Sequence, residues 1–286
     1  MPLSQMKLKK ESNMHRQVLI EQIKQKQTYL CVGLDTDINK IPVHLRKEKD
    51  AILQFNKAII DHTKDYCVSY KLNTAFYEAL GPAGWEIMVA TVDYIPDTHL
   101  SIADAKRADI GNTSAYYAKA FFESLNFDAI TVAPYMGEDS LSPFLAYDNK
   151  WTIVLGLTSN PGAADFELQA MQTAAGVPPE MLYERVMRTV ARWGNPSNLM
   201  FVAGATQASA LSNIRQLLPN HFLLVPGVGF QGGSLKEVSE HGLIPDVGLL
   251  INASRAIIYA SGNENFAEEA AVIAREYQTE MAAYLI

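Results

Sequence analysis

Cysteine is nearly missing from this chain: two residues in 286, Cys31 and Cys67, each inside an apolar run. Two such thiols supply neither a disulfide framework nor a multi-cysteine metal site. They read as small buried hydrophobes, a usage that suits a reducing cytoplasm. Surplus positive charge is missing too. With 24 Lys and Arg against 31 Asp and Glu, the net charge is −7. That argues against nonspecific nucleic-acid binding, although a local basic pocket for a small phosphorylated ligand stays open. No apolar run reaches the roughly 20 residues of a membrane span. The polar start of the chain, with Lys7, Lys9 and Lys10, has no apolar centre of signal-peptide type. The expectation is a soluble, cytoplasmic protein with no membrane partner: residues 1–13 a polar tail, residues 14–286 a single domain. The six histidines (His15, His44, His62, His99, His221 and His241) are scattered without ligand spacing, so no metal site is expected.

What the chain does have is a regular alternation of short β-rich runs and longer amphipathic stretches. The candidate strands are Tyr29–Leu34, Cys67–Lys71, His99–Ala103, Asp128–Val132, Thr152–Leu157, Leu199–Ala203, Phe222–Val225 and Val247–Ile251. Between them, Ala51–Lys64, Gly84–Tyr94, Ser114–Ser124 and Glu180–Trp193 place apolar residues three and four apart, the helical spacing. Eight strand–helix units predict an α/β fold closed into a (β/α)8 TIM barrel. An open doubly wound sheet is the alternative, but no Gly-x-Gly-x-x-Gly follows the first strand. The stretch Asn160–Pro179, rich in Gly, Ala and Pro, reads as a long loop after the fifth strand, either a lid or a plain surface excursion.

In such a barrel, chemistry gathers where the strands end. The first strand runs into Asp35 and the second into Lys71. The third runs into Ile102-Ala103-Asp104-Ala105-Lys106-Arg107-Ala108-Asp109-Ile110-Gly111-Asn112-Thr113. Asp104 and Lys106, two apart, point to one side if the strand is regular. Charges crowded at a strand end are costly unless they satisfy one another or act on a ligand. The fifth strand reaches Thr158-Ser159-Asn160-Pro161-Gly162. The seventh leads to Gly227, Gly229, Gly232 and Gly233, the eighth to Arg255. Backbone N–H groups near Gly232 and Gly233, with the planar fork of Arg255, make phosphate the favoured ligand of the last two loops.

The pattern Asp104-x-Lys106-x-x-Asp109 resembles the signature of the orotidine 5′-monophosphate decarboxylase superfamily, and the longer string DAKRADIGNTS resembles the decarboxylases themselves, closest to their bacterial type 2 branch. The likeness runs from Asp35 to Arg255. Ala108 departs from the glycine expected there, and Leu72 stands where a proline is common; neither replaces a charged position. The resemblance implies a cofactor-free conversion of orotidine 5′-monophosphate to uridine 5′-monophosphate, the last step of de novo pyrimidine synthesis. By the same resemblance Lys71, Asp104, Lys106 and Asp109 are catalytic. Asp35 and Thr113 meet the ribose, Ser159 (rather than Thr158) reads the pyrimidine, and Gln231 and Arg255 hold the phosphate. It further implies a homodimer in which Asp109 and Thr113 complete the neighbouring site.

Three rivals stand beside it. A sibling enzyme acting on a sugar phosphate through a metal-stabilised enediolate would typically carry a metal-binding glutamate where Lys71 stands. A Schiff-base aldolase would need a neutral lysine, whereas Lys71 is expected to be tied to carboxylates. A nucleotide-binding barrel without catalysis would keep the pocket and lack turnover.

Overall fold

Strands this apolar need cover on both faces, and a closed parallel barrel with a helical jacket supplies it. The structure is a computed structural model that describes residues 14–172, 176, 179–204, 208–228 and 233–285. The first five barrel strands are β1 (Leu30–Gly33), β2 (Ser69–Asn73), β3 (Leu100–Arg107), β4 (Ala129–Val132) and β5 (Trp151–Leu157). An antiparallel ribbon of β6 (Ala170–Met171) with β7 (Glu180–Met181) follows. The barrel is then completed by β8 (Leu199–Ala203), β9 (Phe222–Pro226) and β10 (Leu249–Ala253). The closed order is β1-β10-β9-β8-β5-β4-β3-β2, with all neighbours parallel. The eight expected strands are therefore present, and the open-sheet alternative is excluded.

Boundaries moved where tertiary contacts decided them. The expected helix Glu180–Trp193 begins only at Leu182, because Glu180 and Met181 pair with β6. The Glu184 carboxylate then accepts the Met181 N–H at 2.6 Å and caps the helix start. The expected helix Ser114–Ser124 starts earlier, at Gly111, and its last turn, Ala120–Ser124, is π-helical. The Asn160–Pro179 stretch is more than loop, since it holds a 3-10 turn at Pro161–Asp165 as well as β6. The strand expected to end at Ala103 runs four residues further, so Asp104 and Lys106 lie within β3.

The N-terminal end of the barrel is closed by cations set on backbone carbonyls. Arg215 donates to the carbonyls of Gly242 (2.6 Å), Leu218 (3.2 Å), His221 (2.7 Å) and Gly248 (2.7 Å). Lys26 Nζ donates to those of Lys64 (2.8 Å) and Cys67 (3.1 Å). Cys31 and Cys67 are free thiols and fully buried. Among the described residues, no helix is long and apolar enough to cross a membrane.

Candidate active site

At the opposite end, where the strands finish, a cavity of about 300 Å³ brings Asp35, Lys71, Asp104, Lys106, Ser159 and Arg255 onto one lining. Its size is that of a small-molecule site. Sequence positions 35 to 255 thus converge as the barrel reading requires.

The charges interlock. Lys71, its side chain 5% exposed, reaches Asp104 Oδ2 at 3.0 Å and Asp35 Oδ1 at 3.5 Å. Asp104 Oδ1 takes the Lys106 ammonium at 2.5 Å. Burial is the largest influence on Lys71 and would lower its pKa, but Asp35 and Asp104 outweigh it and hold the ammonium above its ordinary value. Burial likewise would raise Asp104, yet Lys71 and Lys106 together hold it down at about 2. The result is an alternating carboxylate–ammonium chain in which Lys71 and Asp104 hold one another charged. Its Lys106 end, half exposed, faces the opening.

The backbone around Asp35 is pinned from both sides. Tyr77 Oη donates to the Leu34 carbonyl at 2.8 Å, and Asn56, fully buried, donates to Tyr77 at 3.0 Å while accepting from Thr36 at 2.7 Å. Tyr259 Oη donates to the Asp35 carbonyl at 3.1 Å and accepts the Asp37 N–H at 2.8 Å. A carboxylate held this way needs no reorganisation when a ligand arrives.

Thr158 and Ser159 both border the cavity and differ in their partners. The Thr158 N–H and hydroxyl both donate to the Glu167 carboxylate, at 2.6 and 2.8 Å, which ties the post-β5 segment back onto the strand end. Ser159 lines the cavity. Its backbone is packed against Gly204, where a Cβ would stand 2.8 Å from the Ser159 nitrogen. Arg107, just past Lys106, pairs with Glu78, donates to the Ala105 carbonyl at 2.9 Å and lies over the Tyr117 and Phe121 rings. It anchors the end of β3 and does not line the cavity.

At the ends of β9 and β10, Gly227 (φ 88°) and Val228 line the cavity together with Arg255, the first residue of a four-residue helix. Gly233 pairs with Val228 in an isolated bridge. The following helix begins only at Leu235, with Ser234 as its cap. Gln231 and Gly232 lie outside the described residues, as does the 1–13 tail. Asp109 and Thr113 are not part of this chain's own cavity lining; Asp109 instead accepts the Ile110 N–H at 2.8 Å. Among the described residues no three His, Cys, Asp or Glu side chains gather into a metal-holding group.

The sequence reading passed over Thr131, Glu167, Asn56, Tyr77 and Tyr259. Thr131 carried a usable signal: it is the one hydroxyl in the apolar run Ala129–Val132. A buried polar group in such a strand requires a partner. The others lie on neighbouring units whose approach to the strand ends is not written in local pattern.

The family model described as "Orotidine 5'-phosphate decarboxylase / HUMPS family" matches residues 28–270. The chain belongs to that family. It is 56% identical over 276 residues to an orotidine 5'-phosphate decarboxylase of Christiangramia forsetii, covering 95% of this chain and 99% of that protein. It is 54% identical to one of Bacteroides fragilis over 275 residues, 95% of this chain and 98% of the other. Among solved structures it is similar to Leishmania donovani OMP decarboxylase, with TM-score 0.76, 34% identity, and coverage of 93% of this chain and 99% of that one. It is also similar to Leishmania donovani UMP synthase, with TM-score 0.77, 36% identity, and coverage of 91% of this chain and 56% of that one. The decarboxylase-family resemblance read from residues 104–114 thus extends through the whole barrel.

Proposed function

We propose that this chain decarboxylates orotidine 5′-monophosphate to uridine 5′-monophosphate and CO2, the last step of de novo pyrimidine synthesis. The observation that carries the reading is the Lys71–Asp104–Lys106 array lining the barrel cavity. Loss of CO2 from C6 of the pyrimidine leaves an electron pair in the ring plane, where the π system cannot take it. Electrostatic stabilisation by a fixed cation is the protein's remedy. The C6–carboxylate bond breaks, the pair stays on C6, and Lys106 Nζ gives that carbon a proton, to be replaced from solvent. Asp104 faces the departing carboxylate, and Lys71 keeps Asp104 ionised and in place. Asp35 takes the ribose hydroxyls, Ser159 the pyrimidine edge. Arg255, with the Gly227–Gly233 loop including Gln231, Gly232 and Gly233, takes the phosphate. No cofactor enters this chemistry.

Two copies make the complete site in this reading, with Asp109 and Thr113 entering from the neighbour. Supporting it, both residues lie off their own chain's lining, and Ile110 and Tyr116, close to them in sequence, are exposed apolar side chains. Mixing inactive Lys106→Ala with inactive Asp109→Ala would then restore about a quarter of wild-type activity, because half the dimers hold one intact site; no recovery on mixing would sink the shared site. The reading also gives the protein to the cytoplasm, in keeping with two buried free thiols. The barrel from residue 14 onward carries the whole activity, so a form starting at Met14 keeps its turnover.

The deciding experiment follows orotate-ring absorbance after adding orotidine 5′-monophosphate with EDTA present. Rapid loss, abolished in Lys106→Ala, is expected; no loss with folded protein would refute the assignment. Arg255→Ala should raise KM for the nucleotide by about tenfold or more while the fold stays intact. Unchanged kinetics there would remove Arg255 from the phosphate site.

A further inference from the structure

β3 does not run regularly through its charged end. From Ala103, paired with Ile130, to Arg107, paired with Val132, β3 takes four steps where β4 takes two. Lys106 lies in this bulge with φ 47°, a left-handed conformation that a lysine adopts only when its surroundings enforce it. The bulge also takes the Lys106 N–H out of the regular ladder.

Thr131 stands opposite, at the middle of the two β4 steps. Its hydroxyl accepts the Lys106 N–H at 3.0 Å and donates to Asp104 Oδ1 at 3.0 Å. That same Asp104 oxygen receives the Lys106 ammonium at 2.5 Å. One hydroxyl therefore fastens the lysine by its backbone and the aspartate by its carboxylate, closing a ring through both residues. Thr131 is fully buried, and its β-branched side chain is restricted at χ1, so the hydroxyl is fixed before any ligand enters.

We propose that Thr131 is the positioning residue that sets Asp104 and Lys106 in their reacting geometry and stabilises the bulge that presents Lys106 to the cavity. The inference rests on the reading that Lys106 and Asp104 act at the reacting carbon. Thr131 borders the cavity, but its hydroxyl is committed to Lys106 and Asp104, so it works through them. Valine has nearly the same shape and neither hydrogen bond, so it isolates the hydroxyl.

The test compares Thr131→Val, Thr131→Ser and Lys106→Ala for kcat, KM, uridine 5′-monophosphate affinity and thermal midpoint. In Thr131→Val, kcat should fall by about 100-fold, the size of effect that misplacing a reacting group produces. Its KM and nucleotide affinity should stay within about threefold, because phosphate and ribose contacts are untouched. Thr131→Ser should regain most of the turnover. A Thr131→Val enzyme with near-wild-type kcat beside an inactive Lys106→Ala would overturn the role of Thr131 alone. Residual turnover in Lys106→Ala would instead overturn the underlying reading. If the valine form does not fold, Thr131→Ala against Thr131→Ser carries the same test, and equal kcat in those two would overturn the proposal.

Discussion

The two ends of the barrel bury cations by different means. At the N-terminal end Arg215 is set on backbone carbonyls, with no carboxylate among its partners in the described residues, and Lys26 on two carbonyls beside the His99 ring. At the C-terminal end Lys71 and Lys106 alternate with Asp35 and Asp104, beside an open cavity. Carbonyl partners are part of the backbone and fix a cation as a structural clamp. Carboxylate partners bring charge of their own, and an alternating array beside a cavity presents a field to whatever enters. Buried cations are structural clamps at one end and, in the proposed reading, reactive groups at the other.

The sharpest way to break this comparison is to remove one cation from each end. Lys106→Ala should lower kcat by about a thousandfold or more, with the thermal midpoint nearly unchanged, since its side chain is half exposed. Measured turnover close to wild type would erase the distinction. Arg215→Leu should do the reverse, taking a donor from four carbonyls, of which that of Gly248 keeps the Leu223 N–H. It should cost about 3 kcal/mol of stability or more in urea titration, with kcat of the folded fraction preserved. A lowered kcat at full folding would show that the closed end communicates with the open one.

A smaller effect probes the glycine behind the mouth. Gly204→Ala places a Cβ 2.8 Å from the Ser159 nitrogen. Something must shift, and the Ser159 segment is what borders the cavity. KM should rise by about tenfold with a modest loss of stability; an unchanged KM would free Ser159 from its assigned contact.

Acid sharpens the contrast most gently. Burial, the leading cause, together with neighbouring cations, lowers the His99 and His221 pKa values to about 4. Both are therefore neutral in the folded state, while in the unfolded chain they take up protons below about 6.5. Their contribution to stability is complete above that pH and is lost as pH falls toward 4. Asp104, held at about 2, keeps its stabilising charge until far stronger acid. Lys71, held above its ordinary value, loses its contribution only in strong base. Unfolding free energies measured between about pH 4.5 and 7.5 should decline toward acid. His221→Phe should flatten that decline, because neither ring nitrogen of His221 has a hydrogen-bond partner to lose. An equal slope in the variant would put the acid sensitivity elsewhere.

Much of this was legible in the chain because it is local. Short apolar runs rich in β-branched residues, eight of them separated by helical spacing, leave few architectures. Lys71, Asp104 and Lys106 were readable because charges directly behind apolar strands have few neutral explanations. Glu180–Met181 was misjudged as helix because its pairing with Ala170–Met171 is a contact between segments, invisible to periodicity.

By itself, then, the order of residues determined the barrel, the end at which polar groups collect, and the charged types that collect there. Periodicity and strand-end position are properties of short segments, and they survive without knowledge of neighbours. Only the tertiary structure decided how those charges are used. The bulge in β3, the Thr131 hydroxyl facing it and the Tyr77, Asn56 and Tyr259 clamp on the Asp35 segment all join distant positions. The physical reason is that hydrogen bonds act over about 3 Å. A residue's role at a site is fixed by which partners the closed barrel brings within that reach.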